Sequence, residues 1–110
     1  MDLTIDAVRA GVADGSATAT AVAEMHYSRI AANDGVEGKG INSFLALGKE
    51  RALAQAAKID SMAAKGEELQ VLAGVPIGIK DVLAMQGASA TAGSLILKDY
   101  RPPYDATAVT

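Results

Sequence analysis

An α/β fold, with helices packed against short strands, is what this sequence predicts. Apolar residues recur at helical spacing over 4–13, 17–32 and 49–65, while aliphatic runs without that spacing fill 41–47 and 69–79. The resulting order is helix, helix, strand, helix, strand. A strand-helix-strand unit of this kind fits a parallel pair within one sheet.

In the first helix Ile5, Val8 and Val12 share a face, and Asp14-Gly15 supplies a stop. Ser16 is the expected N-cap of the second helix. Its buried stripe would comprise Ala19, Val22, Ala23, Tyr27 and Ile30, and Asn33-Asp34-Gly35 would close it. "GVEGKG" has the composition of a loop, and "INSFLAL" the aliphatic and aromatic content of a brief buried strand. The third helix places Ala52, Ala56, Ile59 and Ala63 on one face and turns Glu50, Arg51, Lys58 and Lys65 to water, with Gly66 as its C-cap. The second strand follows over 69–79. Further on, Pro102-Pro103 forbids a helix, and Asp105 reads as the N-cap of a helix beginning at Ala106. Thr110 follows after little more than one turn, too little for a stable helix. The expectation is an N-terminal portion, residues 1–110, of one longer domain.

The 110 residues suffice for a domain that buries roughly two-thirds of its unfolded surface. Half are hydrophobic and 21% are charged, a globular balance. Yet 23 are alanine and only four are Phe or Tyr, with no Trp, so the core should be thin. The net charge of -3 and the absence of a basic run leave no surface for a nucleic-acid backbone, so no DNA partner is expected and any RNA is held elsewhere. No run approaches the ~18 apolar residues of a membrane span, and the N-terminus lacks the pattern of a secretory signal. A cytoplasmic location is the expectation. With no Cys and one His, disulfides, thiolate or histidine metal sites and a Cys nucleophile are excluded, and no metal site is expected.

The stretch "GVPIGIKD", residues 74–81, carries the sharpest signal. Read at the period of a strand, Val75, Ile77 and Ile79 share one face, while Pro76, Gly78 and Lys80 share the other. The lysine then has open space beside it, filled by solvent or by a ligand. By itself a lysine at a strand end is most often a solvated terminus. The spacing is not that of a phosphate loop, because no second Gly directly precedes the Lys and no Ser or Thr follows it. Ser89, Thr91 and Ser94 read first as turn-formers. His26, between Val22 and Ile30, reads as a packed or hydrogen-bonded helix residue.

"LAGVPIGIKD", followed by "TAGS" and "PPYDAT" at suitable distances, resembles the opening third of an amidase signature family enzyme. "PPYDAT", Arg29-Ile30 and "INSFLAL" are most similar to the A-type chains of tRNA-dependent amidotransferases, and the resemblance covers essentially all 110 residues. It implies a mixed β-sheet flanked by helices and amide hydrolysis by a nucleophilic Ser, a bridging Ser on a cis peptide and a Lys. Lys80 matches that lysine. The two serines lie, in the family, in a Gly- and Ser-rich segment further along, so neither Ser89 nor Ser94 is the nucleophile and this portion is inactive alone. The resemblance also implies glutamine, or asparagine, as amide donor, two partner subunits of the B and C types, and misacylated tRNA. It implies ATP and magnesium used by the complete complex, with no cofactor bound by this portion. The chain departs from the family pattern at Val82, where Asn is common, at Met85, where Thr is, and at Ala90-Thr91, where Thr-Thr is.

Serine attacks an amide only when a base takes its proton, and the leaving amine needs one back. A neutral lysine does both. An ordinary lysine, with a pKa of about 10.4, is neutral in about one molecule in 2,500 at pH 7. Burial among apolar groups lowers such a pKa by up to roughly 3 to 5 units, so the Lys80 amine is expected to be buried. Adjacent Asp81 would point to the other face and serve the backbone instead of pairing with it. The small side chains and free N–H groups of "ATAGS" would let a substrate approach, with Thr91 and Ser94 as candidate substrate-binding hydroxyls. Two alternatives stay open: a free-standing amidase of the same family, and a non-catalytic helical module that binds another protein through its Ala-rich faces.

Overall fold

Three α-helices and one 3-10 turn are the regular elements of residues 3–35 and 40–110, which the computed structural model describes. They are α1 (Ile5–Asp14), α2 (Ala19–Asn33), α3 (Lys49–Ala64) and a 3-10 turn at Leu95–Leu97. The chain divides into two compact units, residues 1–43 with 49–76, and 44–48 with 77–110. Among the described residues no helix is long and apolar enough to cross a membrane. Most of the "GVEGKG" loop, residues 36–39, lies outside the described residues.

The first unit holds the helices. Thr4 caps α1 by accepting the Ala7 N–H, and Gly15 ends it with φ 77°. Ser16 is not the cap of α2: its N–H donates to the Asp14 carboxylate at 2.9 Å. The cap is Thr18, whose hydroxyl accepts the Ala21 N–H. A second acceptor comes from α3. Asp60 takes the N–H of Ala19 at 2.6 Å on one oxygen, and the N–H and hydroxyl of Thr20 at 3.1 and 2.6 Å on the other. A carboxylate at a helix N-terminus answers orphan donors and the positive end of the helix dipole together.

The core is as thin as the composition implies. Val8, Val12, Ala19, Val22, Ala23 and Ala56 are buried, with Leu53, Ile59, Leu69 and Val75 packed against them. Tyr27 and Ile30 of the expected α2 stripe are half-buried. His26 bonds the Val22 carbonyl through Nδ1 at 2.8 Å, the ordinary role of a helix histidine. α3 ends in a Schellman motif: Gly66, φ 68°, donates to the Ala63 carbonyl, and Glu67 to that of Met62.

The predicted α/β sheet does not form. Among the described residues there is no strand, so the mixed β-sheet flanked by helices gives way to helices joined by turns and irregular chain. The physical reason is the lack of ladder partners. In "INSFLAL" the Ile41 N–H goes to the Asn33 carbonyl and the Ser43 N–H to the Asp34 carboxylate, so its start is tied to the end of α2. In 69–79 the Ala73 and Val75 N–H groups close on Gln70 and Leu72 as turns. Among the described residues no backbone hydrogen bond joins 76–79 to another segment. Aliphatic composition marks a segment as strand-like, but only a paired edge makes it a strand.

Gly74 opens the "GVPIGIKD" run with φ 81°, and an added Cβ would stand 2.8 Å from a Val12 methyl. The glycine thus serves packing within the first unit. Gly78 has open space where a Cβ would be, as expected beside Lys80.

Candidate functional site

The second unit holds the end of the first motif piece, Ile77 to Asp81, with "TAGS" at 91–94 and "PPYDAT" at 102–107. The Gln86 N–H donates to Asp105 at 2.8 Å, the Ala106 N–H to the Ala84 carbonyl at 2.8 Å, and the Ala90 N–H to the Tyr100 carbonyl at 3.4 Å. Pro102 is fully buried. Asp105 therefore uses a carboxylate oxygen on the 84–86 segment. Beyond it a single turn closes on the Ala106 carbonyl in place of the expected helix.

Asp81 is the hub of this unit. Its carboxylate accepts the Thr91 N–H at 3.0 Å on Oδ1 and the Thr91 hydroxyl on Oδ2, and its carbonyl accepts the Ala92 N–H at 3.3 Å. The bonds from Thr91, the hydroxyl first, hold the Asp81 carboxyl below the usual carboxylate value. Asp81 thus ties the chain after Lys80 to Thr91 and Ala92, through bonds that no strand alternation sets.

The 91–94 segment is a tight turn. The Ser94 N–H closes on the Thr91 carbonyl at 2.8 Å, and both central residues are left-handed, Ala92 at φ 49° and Gly93 at φ 72°. Two positive φ values in succession are the mark of a type I′ turn. For Ala92 the left-handed region costs about 1–2 kcal/mol, so the bonds around it must hold it there.

The expected free N–H groups are not present in this segment. Ala90 donates to Tyr100, Thr91 and Ala92 to Asp81, Gly93 to the Thr91 hydroxyl oxygen, and Ser94 to the Thr91 carbonyl. The side chains are likewise committed. Thr91 gives its hydroxyl proton to Asp81, and the Ser94 oxygen caps the Leu95–Leu97 turn by accepting the Ile96 N–H at 3.3 Å. The hydroxyl proton of Ser94 has no acceptor among the described residues.

Lys80 is exposed, and among the described residues its amine has no ion-pair partner. These residues do not supply the burial expected of it. Its carbonyl accepts the Leu83 N–H at 2.9 Å, which turns the chain immediately after it. Of the sequence-predicted residues, Thr91 shares bonds with the lysine's neighbour Asp81, and Ser94 lies at the far end of the same turn. Sequence reasoning missed the Asp81–Thr91 pair because the partners stand ten residues apart.

The family model described as Amidase matches residues 22–110. The glutamyl-tRNA(Gln) amidotransferase chain of type A from Koribacter versatilis is 52% identical over 107 residues, which are 97% of this chain and 22% of that protein. The proteins of the same description from Streptomyces avermitilis and Chlamydia abortus are each 45% identical, over 96% and 93% of this chain and 20% of theirs. The chain spans about a fifth of the length of the curated relatives it matches. A solved structure aligns with a TM-score of 0.85 and 36% identity, covering 94% of this chain and 22% of its own. It is described as the inhibitor-bound form of a vestigial protein complex that reveals the evolutionary origins of an s-triazine catabolic enzyme. With a family match across 22–110, and with relatives 45–52% identical over nearly all of its length, this chain belongs to the amidase signature family.

Proposed function

We propose that this chain is the N-terminal portion of the glutaminase subunit of a tRNA-dependent amidotransferase. Identity of 41–52% to proteins of that description, across nearly the whole chain, is the observation that carries the reading. The complete subunit hydrolyses the side-chain amide of glutamine. Lys80 takes the proton of a serine hydroxyl relayed through a second serine, and returns a proton to the departing ammonia. Both serines belong to the part of the relatives that this chain does not span. So does the cover over Lys80, since the amine is exposed within these residues.

The ammonia passes to a partner of the B type, which activates misacylated tRNA, and a C-type subunit completes the assembly in the cytoplasm. ATP and magnesium belong to the partner. The "GVPIGIK" run lacks the spacing of a phosphate loop. Thr91 and Ser94 border the substrate through the turn they build.

The experiment is ammonia release by the complete subunit, with and without its B and C partners. Glutamine-dependent release that rises with misacylated tRNA is the expected result. Release from simple amides at full rate without partners would replace the reading by that of a free-standing amidase. No release under any condition would favour a binding module.

A further inference from the structure

The chain on the C-terminal side of Lys80 is held far more firmly than a loop lysine requires. The next residue, Asp81, accepts three hydrogen bonds from Thr91 and Ala92, and the Lys80 carbonyl accepts a fourth from Leu83. One peptide link, ~3.8 Å between Cα atoms, separates the pinned residue from the lysine. The anchor is itself a tight turn with a left-handed alanine, and all five N–H groups from Ala90 to Ser94 are consumed in building it. A segment whose donors all point inward binds nothing through its backbone N–H groups. It serves by being rigid.

We propose that Asp81 and Thr91 are positioning residues that tie the peptide after Lys80 to the 91–94 turn and so aim the lysine amine. The inference rests on Lys80 as the proton-transfer group of the proposed function and adds what orients it. The lysine side chain is long and flexible and has no partner of its own among the described residues, so its backbone origin is what these residues hold fixed. The carboxylate of Asp81 acts on the turn and forms no ion pair with its neighbour.

The test uses the complete subunit with its partners and compares Thr91→Val, Thr91→Ser, Asp81→Asn and the double variant Asp81→Asn/Thr91→Val. Glutamine hydrolysis and the melting temperature are followed for each. Thr91→Val is expected to lower kcat about 10–100-fold with KM nearly unchanged, as misplacement of a reacting group does. Thr91→Ser, which keeps the hydroxyl, is expected to restore most of the rate. Because both residues act through the same contact, the double variant should be no slower than the slower single one. Unchanged kcat in Thr91→Val, a loss that Thr91→Ser does not rescue, or multiplying losses in the double variant would overturn the inference. If Thr91→Val does not fold, Asp81→Asn and Thr91→Ser carry the same comparison. Should Lys80→Met be inactive while Thr91→Val is fully active, only the positioning role falls. An active Lys80→Met removes the proposed function and this inference together.

Discussion

Replacing Lys80 with Met in the complete subunit is expected to reduce glutamine hydrolysis by about 10³-fold or more while leaving the melting temperature unchanged. The size follows from the work assigned to the residue. General acid-base catalysis contributes about 10²–10⁴-fold, and a base whose loss also strands the nucleophile costs at the upper end of that range. A 10³-fold loss corresponds to about 4 kcal/mol of transition-state stabilisation. Stability should change little, because Met keeps the length and apolar stem of the side chain under the proposed cover and Lys80 holds no ion pair among the described residues. Steady-state ammonia release and a thermal melt of the same preparation separate the two. A loss of rate matched by a loss of folded protein would make the residue structural.

Gly74→Ala is expected to destabilise the chain by about 2–5 kcal/mol. Two penalties add at this position. An alanine at a positive φ costs about 1–2 kcal/mol, and forcing a methyl into a packed site costs about 1–3 kcal/mol more. The clash is with Val12, 1% exposed at the centre of the first unit, so the neighbour has little room to yield. A loss of that size lowers the melting temperature by several degrees. Gly78→Ala, where an added Cβ meets nothing within 4 Å, is the matched control and should melt close to the parent. Equal melts for the two variants would show that Gly74 is not held against Val12.

The helices were legible because helix formation is local. Ile5, Val8 and Val12 recur at the right interval, Thr4 and Gly15 bracket them, and Gly66 ends α3 as a residue tolerant of positive φ should. The cap of α2 was misplaced by two residues because Ser16 and Thr18 are chemically equivalent candidates. The choice was made by Asp14, which took the Ser16 N–H. Long-range decisions left no local trace. Nothing near Asp60 announces that its carboxylate will meet the start of α2, about forty positions away.

The strand expectations failed for the complementary reason. "INSFLAL" and the run 69–79 have strand-like side chains, but strand pairing depends on a neighbour that composition does not name. At the candidate site, Lys80 stood out through its bare surroundings, whereas the tie of Asp81 to Thr91 was set by a partner ten residues on. The consumption of every N–H in 90–94 was not legible, since small residues suit an open cradle and a closed turn equally.

The most direct measurement is of the covalent intermediate. The complete subunit is mixed with glutamine, quenched with acid within milliseconds and weighed intact by mass spectrometry. The parent enzyme is expected to gain one glutamyl group, and Lys80→Met to stay at the mass of the free protein because its serine keeps its proton. A Lys80→Met enzyme that acquires the glutamyl group as fast as the parent would contradict the role assigned to Lys80.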